Sequence, residues 1–170
     1  MTPIVYRPAT EADYPALAAM YEGLNAYFYQ VGYLLPRPEN VGELWLDSFR
    51  RTLGRFSNVF VAEQDGRLLG FHLCRLKRLP AHMGGVMAGE VSDVWVQPEV
   101  RSSGVGAALV GAGLAWMRAQ GVHSVEVQVL SQNAGSLKFF ERLGFKLEYR
   151  ALRLLEEPAS QPTDESATSE

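Results

Sequence analysis

Residues 91 to 121 read VSDVWVQPEVRSSGVGAALVGAGLAWMRAQG, and the fold turns on how this stretch is read. It opens with branched and aromatic residues, a strand signal. It breaks at Gln97-Pro98, turns through Arg101-Ser102-Ser103-Gly104-Val105-Gly106, and runs on as an apolar helix that Gly121 can end. A loop between strand and helix gathers unpaired backbone N–H groups at the positive end of a helix dipole, a geometry that attracts phosphate. Glycines at 104 and 106 would let a phosphate approach the backbone. The chain has no Gly-Lys-Ser/Thr, so this is no Walker loop, and Gly104-x-Gly106-x-x-Leu109 lacks the third glycine of the dinucleotide fingerprint. The hexapeptide alone is weak: by composition it should occur about once per thousand windows. A tight strand-to-helix turn with packing glycines is the competing reading.

Working outward, Ile4 to Arg7 is a short strand, and Thr10 caps a first helix carrying Leu17, Met20, Tyr21, Leu24 and Phe28 at helical spacing into the mid-twenties. Asn25 to Asn40 is rich in aromatics (Tyr27, Phe28, Tyr29, Tyr33) before Pro36 and Pro38 break the pattern. Those rings are either core or dimer surface, or else the wall of a substrate pocket. A second helix is expected over Val41 to Leu53. Asn58 to Glu63, Asp65-Gly66 and Arg67 to Lys77 form the clearest hairpin, since Asp-Gly suits a tight turn between branched runs. His72 lies in its second strand as a satisfied, half-buried histidine. Leu79 to Gly89 reads as a loop. Beyond the central helix come a strand over His123 to Leu130, a short helix from Asn133 to Gly144, and a returning strand over Lys146 to Leu155. The order β–α–α–β–β–β–α–β–α–β–β gives an α/β domain with one mixed sheet flanked by helices. The strands bracketing the central helix should run parallel through a right-handed crossover.

Composition narrows the function classes. A chain of 170 residues is one domain with room for a real core. The net charge of −3 argues against a sequence-independent grip on nucleic acid. Cys74, the only cysteine, sits in an apolar run as a core residue and supports no disulfide framework, which suits a reducing compartment. No cluster of His, Cys and carboxylates has ligand spacing, so no metal is expected. The N-terminal residues do not read as a secretory signal, and Gly104 to Met117 is too short to span a bilayer of ~30 Å. The expectation is a cytoplasmic domain over 1–155 with no membrane partner. From Glu156 onward the acidic, apolar-poor tail is expected to be disordered.

Val94-Trp-Val-Gln-Pro-Glu-Val-Arg101-Ser-Ser-Gly-Val-Gly106, followed by Asn133-Ala-Gly-Ser-Leu-Lys-Phe-Phe-Glu-Arg-Leu-Gly-Phe145 in this element order, resembles the GNAT superfamily of acyl-coenzyme A-dependent N-acyltransferases. The resemblance covers roughly Ile4 to Leu155. It implies a mostly antiparallel sheet with a splayed central parallel pair. It also implies that the coenzyme A pyrophosphate rests on backbone N–H groups of Arg101, Ser102, Ser103, Gly104, Val105 and Gly106. The pantetheine arm would add like a strand along Val94, Trp95 and Val96, and Asn133 would touch the cofactor from the start of the second helix. Acetyl-CoA is thus the implied cosubstrate, with no metal.

The implied chemistry is attack of an amine on a thioester carbonyl. An alkylamine has a pKa near 10.4, so only about one molecule in a few thousand is neutral at pH 7, a deficit of roughly 4–5 kcal/mol unless the site removes a proton. Glu90, eleven residues before Arg101, matches the glutamate base of some members. Asp93 is the other candidate. In a regular strand the two point to opposite faces, so only one reaches the cleft unless a bulge intervenes. A backbone N–H of Val94 or Trp95 could stabilise the developing oxyanion. Many members place a tyrosine seven residues after the asparagine to protonate the departing thiolate; here it is Phe140, a wall against the pantetheine or a core residue. A thiol pKa around 8.5 makes the thiolate a tolerable leaving group without it.

The expected activity is acetyl transfer to a primary amine of a small molecule or peptide, in a ternary complex, with Tyr27, Phe28 and Tyr33 near the acceptor. Two alternatives stand beside it: a non-catalytic acyl-CoA-binding regulator, and a protein acetyltransferase docking its partner on Tyr27 to Tyr33. A homodimer is possible.

Overall fold

The computed structural model describes residues 2–156. Five strands form one sheet in chain order: β1 (Val5–Pro8), β2 (Ser57–Gln64), β3 (Arg67–Arg78), β4 (Met87–Val96) and β5 (Ser124–Val127). All neighbours are antiparallel except β4 and β5, which run parallel. The helices are α1 (Tyr14–Gln30), α2 (Val41–Arg50), α3 (Val105–Ala119) and α4 (Ala134–Arg142). This is the mixed sheet flanked by helices that the sequence indicates.

Local chemistry sets the elements. Asp65 and Gly66 both take left-handed dihedrals (φ 53° and 76°), as a two-residue hairpin turn requires. Asp13 Oδ2 accepts the Thr10 N–H at 2.7 Å and an Arg7 N–H at 2.7 Å, closing the start of the first helical segment. Asn133 Oδ1 accepts the Ser136 N–H at 3.1 Å and caps α4.

Each face of the sheet has its own core. Leu17, Leu24, Trp45, Phe49, Phe71 and Leu73 pack under α1 and α2. On the opposite face Cys74, Val91, Leu109, Met117 and Phe140 pack under α3 and α4. Cys74 is buried, its thiol pushed up to about 12 chiefly by desolvation, which suits a core residue and not a nucleophile.

Three expectations need correction. Helix α1 does not stop in the mid-twenties; it runs to Gln30, so Tyr27, Phe28 and Tyr29 are helical. Leu79 to Gly89 is not all loop, because Met87 already begins β4. The returning strand over Lys146 to Leu155 does not form: residues 145–156 have no regular structure, and Leu147 and Leu152 are 66% and 99% exposed. Their alternation suits a strand, but no sheet edge pairs with them. The expected tail falls, except for Glu156, outside the described residues.

Candidate active site: a split between two parallel strands

Parallel pairing of β4 with β5 runs from Ala88–Ser124 to Val91–Val127 and stops there. Beyond it, Asp93 to Val96 stay paired with β3, but among the described residues they have no partner strand on the other side. The sheet therefore opens into a slot walled by the upper half of β4 and floored by the start of α3.

At the head of the slot the chain turns through Pro98–Val100, then Ser102 (φ 64°) and Gly104 (φ 90°), into α3. Ser103 Oγ donates to the Val100 carbonyl at 2.6 Å and closes the loop. The first helical bond of α3 is Ala108 N–H to Gly104 O at 3.0 Å, so the amides just before it face outward unspent. A Cβ on Gly104 would meet nothing within 4 Å; its glycine answers the left-handed dihedral. Gly106 differs, because a Cβ there would sit 3.5 Å from Val96 Cγ2 and 3.6 Å from the Phe139 ring, within the slot.

The side chains expected along the slot are gathered there. Arg101 Nε donates to the Val96 carbonyl at 3.0 Å, and its guanidinium lies 4.6 Å from the Trp95 ring centroid and 5.9 Å from that of Tyr27. Tyr27 OH reaches Asn133 Oδ1 at 3.4 Å, so α1 touches the cap of α4. Phe140 takes the core alternative: it is 7% exposed, with Phe139 and Phe145 edge-on to it at 5.0 and 5.4 Å. Its neighbour Phe139 is the ring beside Gly106.

The two carboxylates meet on one face through a bulge. Leu73 pairs with Asp93 and Cys74 with Val91, which leaves Ser92 as an extra residue in β4. The half-turn it adds puts Glu90 and Asp93 on the same side, where both line a pocket of about 400 Å³ with Tyr21, Trp45, Ser48 and Arg75. Asp93 Oδ2 accepts the Trp45 Nε1–H at 2.9 Å. Burial, helped by the charge of Glu90, raises its pKa from 3.8 to about 6, against the pull of Trp45 and Arg75. Glu90 is more heavily engaged: Ser92 Oγ donates to it at 2.7 Å and Lys77 Nζ stands 3.8 Å away. Tyr21 stacks on Trp45 with centroids 4.6 Å apart, and burial and nearby Asp93 push its phenol well above the usual range.

Of the expected acceptor residues, Phe28 and Tyr33 pack together at 5.9 Å, whereas Tyr27 stands over the slot. Asn25 Oδ1 and the Tyr29 hydroxyl, on the α1 stripe that carries Tyr21, are buried without a hydrogen-bond partner among the described residues. Sequence reasoning missed Tyr21, Trp45, Ser48 and Arg75. One signal was available for Arg75: it continues the inward alternation of Phe71 and Leu73, an odd place for a cation. A second cleft, of about 530 Å³, lies along the first half of α1, but its charges are already paired: Arg7 with Asp13 and Glu63, and Arg67 with Glu99.

Residues 17–145 match the family described as "Acetyltransferase (GNAT) family". A mycothiol acetyltransferase of Amycolatopsis mediterranei is 36% identical over 87 residues, which are 51% of this chain and 29% of that protein. The chain thus spans under a third of that relative. An acetyltransferase of Trypanosoma brucei superposes with a TM-score of 0.68 at 24% identity, covering 91% of this chain and all of that one. AAC(6')-Iy, solved with the bisubstrate analogue CoA-S-monomethyl-acetylneamine, superposes with a TM-score of 0.72 at 16% identity, covering 92% of this chain and 100% of that one. Among the described residues no helix is long and apolar enough to cross a membrane.

Proposed function

Because the chain belongs to the GNAT acetyltransferase family, we propose that it transfers an acetyl group from acetyl-CoA to a primary amine, with Asp93 as general base. The observation that carries this reading is the position and environment of Asp93: a carboxylate with its pKa raised to about 6, on the strand that forms the slot, facing the acceptor pocket.

The slot fits coenzyme A on its own geometry. Unspent amides at Ser103, Gly104 and Val105 suit a pyrophosphate. The unpaired edge of Ser92 to Val96 offers main-chain groups to an extended arm, and glycine at 106 keeps the start of α3 bare where it lies close to Val96 and Phe139. Arg101 would give up the Val96 carbonyl as the arm takes it. Acetyl-CoA supplies the acyl group in activated form, as a thioester.

The protein's own residues prepare the amine. An acceptor enters as its ammonium, and Asp93, ionised above about pH 6, removes one proton directly or through water. Glu90, held by Ser92 and Lys77, adds negative potential that favours cation entry and helps keep the pKa of Asp93 high. Trp45 fixes the carboxylate, so no reorientation precedes proton transfer. The new N–C bond forms and the C–S bond breaks, and the second proton of the amine passes to the departing sulfur or to water, so the sulfur can leave without a tyrosine at 140.

Calorimetric titration with coenzyme A, followed by thiol release with a panel of amines, tests the reading. Binding is expected in the wild type and lost at least tenfold in Gly106→Val, whose side chain fills the slot. No heat at millimolar coenzyme A would overturn it.

A further inference from the structure

The acceptor pocket carries a charge that the proton-transfer chemistry does not use. Arg75 faces Glu90 across the β3–β4 ladder, yet no carboxylate among the described residues stands within ion-pairing distance of its guanidinium. The neighbouring acids are committed elsewhere: Glu90 to Ser92 and Lys77, Glu126 to Lys77, and Asp47 to Arg50 at 3.3 Å. Asp93 accepts from Trp45. Among the described residues the one hydrogen bond of the Arg75 side chain is to Ser48 Oγ at 2.8 Å. That hydroxyl spends its own proton on the Trp45 carbonyl at 2.6 Å, so only its lone pairs face the arginine. Ser48 thus steadies the guanidinium on the pocket wall without neutralising it, and most of its five N–H donors have no protein partner among the described residues.

A fixed cation is a poor neighbour for a substrate that is only an ammonium, because it repels the ion that Glu90 and Asp93 attract. It suits a substrate with both signs. We propose that Arg75 binds a carboxylate on the acceptor, so that the acceptor is a small primary amine that also bears an acid, its ammonium at Asp93 and its carboxylate at Arg75. This rests on the reading of the pocket as the acceptor site. A planar guanidinium takes a carboxylate through two parallel hydrogen bonds. A phosphate dianion fits less well, since its second charge would meet Glu90 and Asp93 in the same small space.

The test is thiol release at saturating acetyl-CoA with ω-amino acids of two to six carbons, each matched to the plain amine of the same length, the diamine and the aminoalkyl phosphate. For the best length, kcat/KM for the amino acid should exceed that for the plain amine by tenfold or more, mostly through KM, and exceed that for the phosphate. Arg75→Gln should bring the ratio of amino acid to plain amine toward one. Arg75→Lys should keep part of it, and Ser48→Ala should lower it by a smaller factor. Equal or better use of plain amines by the wild type, a preference for the phosphate, or a ratio untouched by Arg75→Gln would each overturn the proposal while leaving acetyl transfer standing. Absence of thiol release with every amine would remove the acetyltransferase reading and this proposal together.

Discussion

His72 and Asp93 sit on adjacent strands one register step apart, His72 opposite Val94 and Asp93 opposite Leu73, yet they face opposite sides of the sheet. Both are taken out of water, and both shift toward the neutral form. His72 is fully buried against α3, its Nδ1 3.1 Å from the Leu109 carbonyl, Nε2 without a partner among the described residues, and burial lowers its pKa to about 4. Asp93 is raised to about 6 by the same cause but opens on a pocket. A shifted pKa is therefore no sign of function by itself. What separates the two is access: one group is sealed by a helix, the other can meet a substrate.

The largest test of that contrast is Asp93→Asn. It should lower kcat/KM by about 10²–10⁴ near pH 7. The deficit should shrink at alkaline pH, where the amine loses its own proton, and wild-type activity should fall on acidification through about pH 6. An unchanged pH profile would remove the distinction between the faces. On the sealed side, Gly113→Ala would drive a methyl into the His72 ring, and a loss of about 1–3 kcal/mol is expected by chemical denaturation. Pairing it with His72→Ala should recover part of the loss, whereas the same histidine change should not rescue Asp93→Asn.

Acid stability sharpens the comparison further. The folded protein holds the Asp93 proton more tightly than the unfolded chain, so this group makes stability fall as pH rises from about 4 to about 6. His72 holds its proton less tightly when folded, so it makes stability rise between about 4 and 6.5. The two slopes oppose each other, each at most about 1.4 kcal/mol per pH unit. Relative to wild type, Asp93→Asn should gain stability as pH rises through this window, and His72→Gln should lose it, read as Tm against pH. Matching profiles for the two variants would contradict the opposite shifts. The smallest expected effect is that of Trp45→Phe. Removing the hydrogen bond to Asp93 should move the acid limb of kcat/KM alkaline by less than about one pH unit.

The elements that were legible in the sequence carry local signals. Asp65-Gly66 specifies its turn by backbone conformation, and the strand–loop–helix from Val91 to Gly121 is written in branched residues, a proline and two glycines. Lys146 to Leu155 shows the limit of such signals, because alternation says a segment can lie in a strand, not that an edge stands within reach. The slot was readable from motif and order. The pocket beside Asp93 was not, since Tyr21, Trp45, Ser48 and Arg75 come from three elements and only tertiary packing joins them. The choice between Glu90 and Asp93 rested on strand parity, which Ser92 breaks with nothing in its identity to announce it.

That odd residue has a consequence for how this strand can change over evolutionary time. Deleting Ser92 would remove the bulge yet leave Asp93 opposite Leu73 and Glu90 opposite Arg75, both acids still on one face, whereas straightening the strand with Ser92 retained would turn one acid inward, to the face of His72. The bulge and the spacing of the two acids can therefore change only together, one residue of spacing for one kink. A relative with its two acids an even number of positions apart can dispense with the bulge, whereas one that keeps them three apart must keep the kink as well. Counting residues between the acids then forecasts local backbone shape in proteins whose structures are unknown.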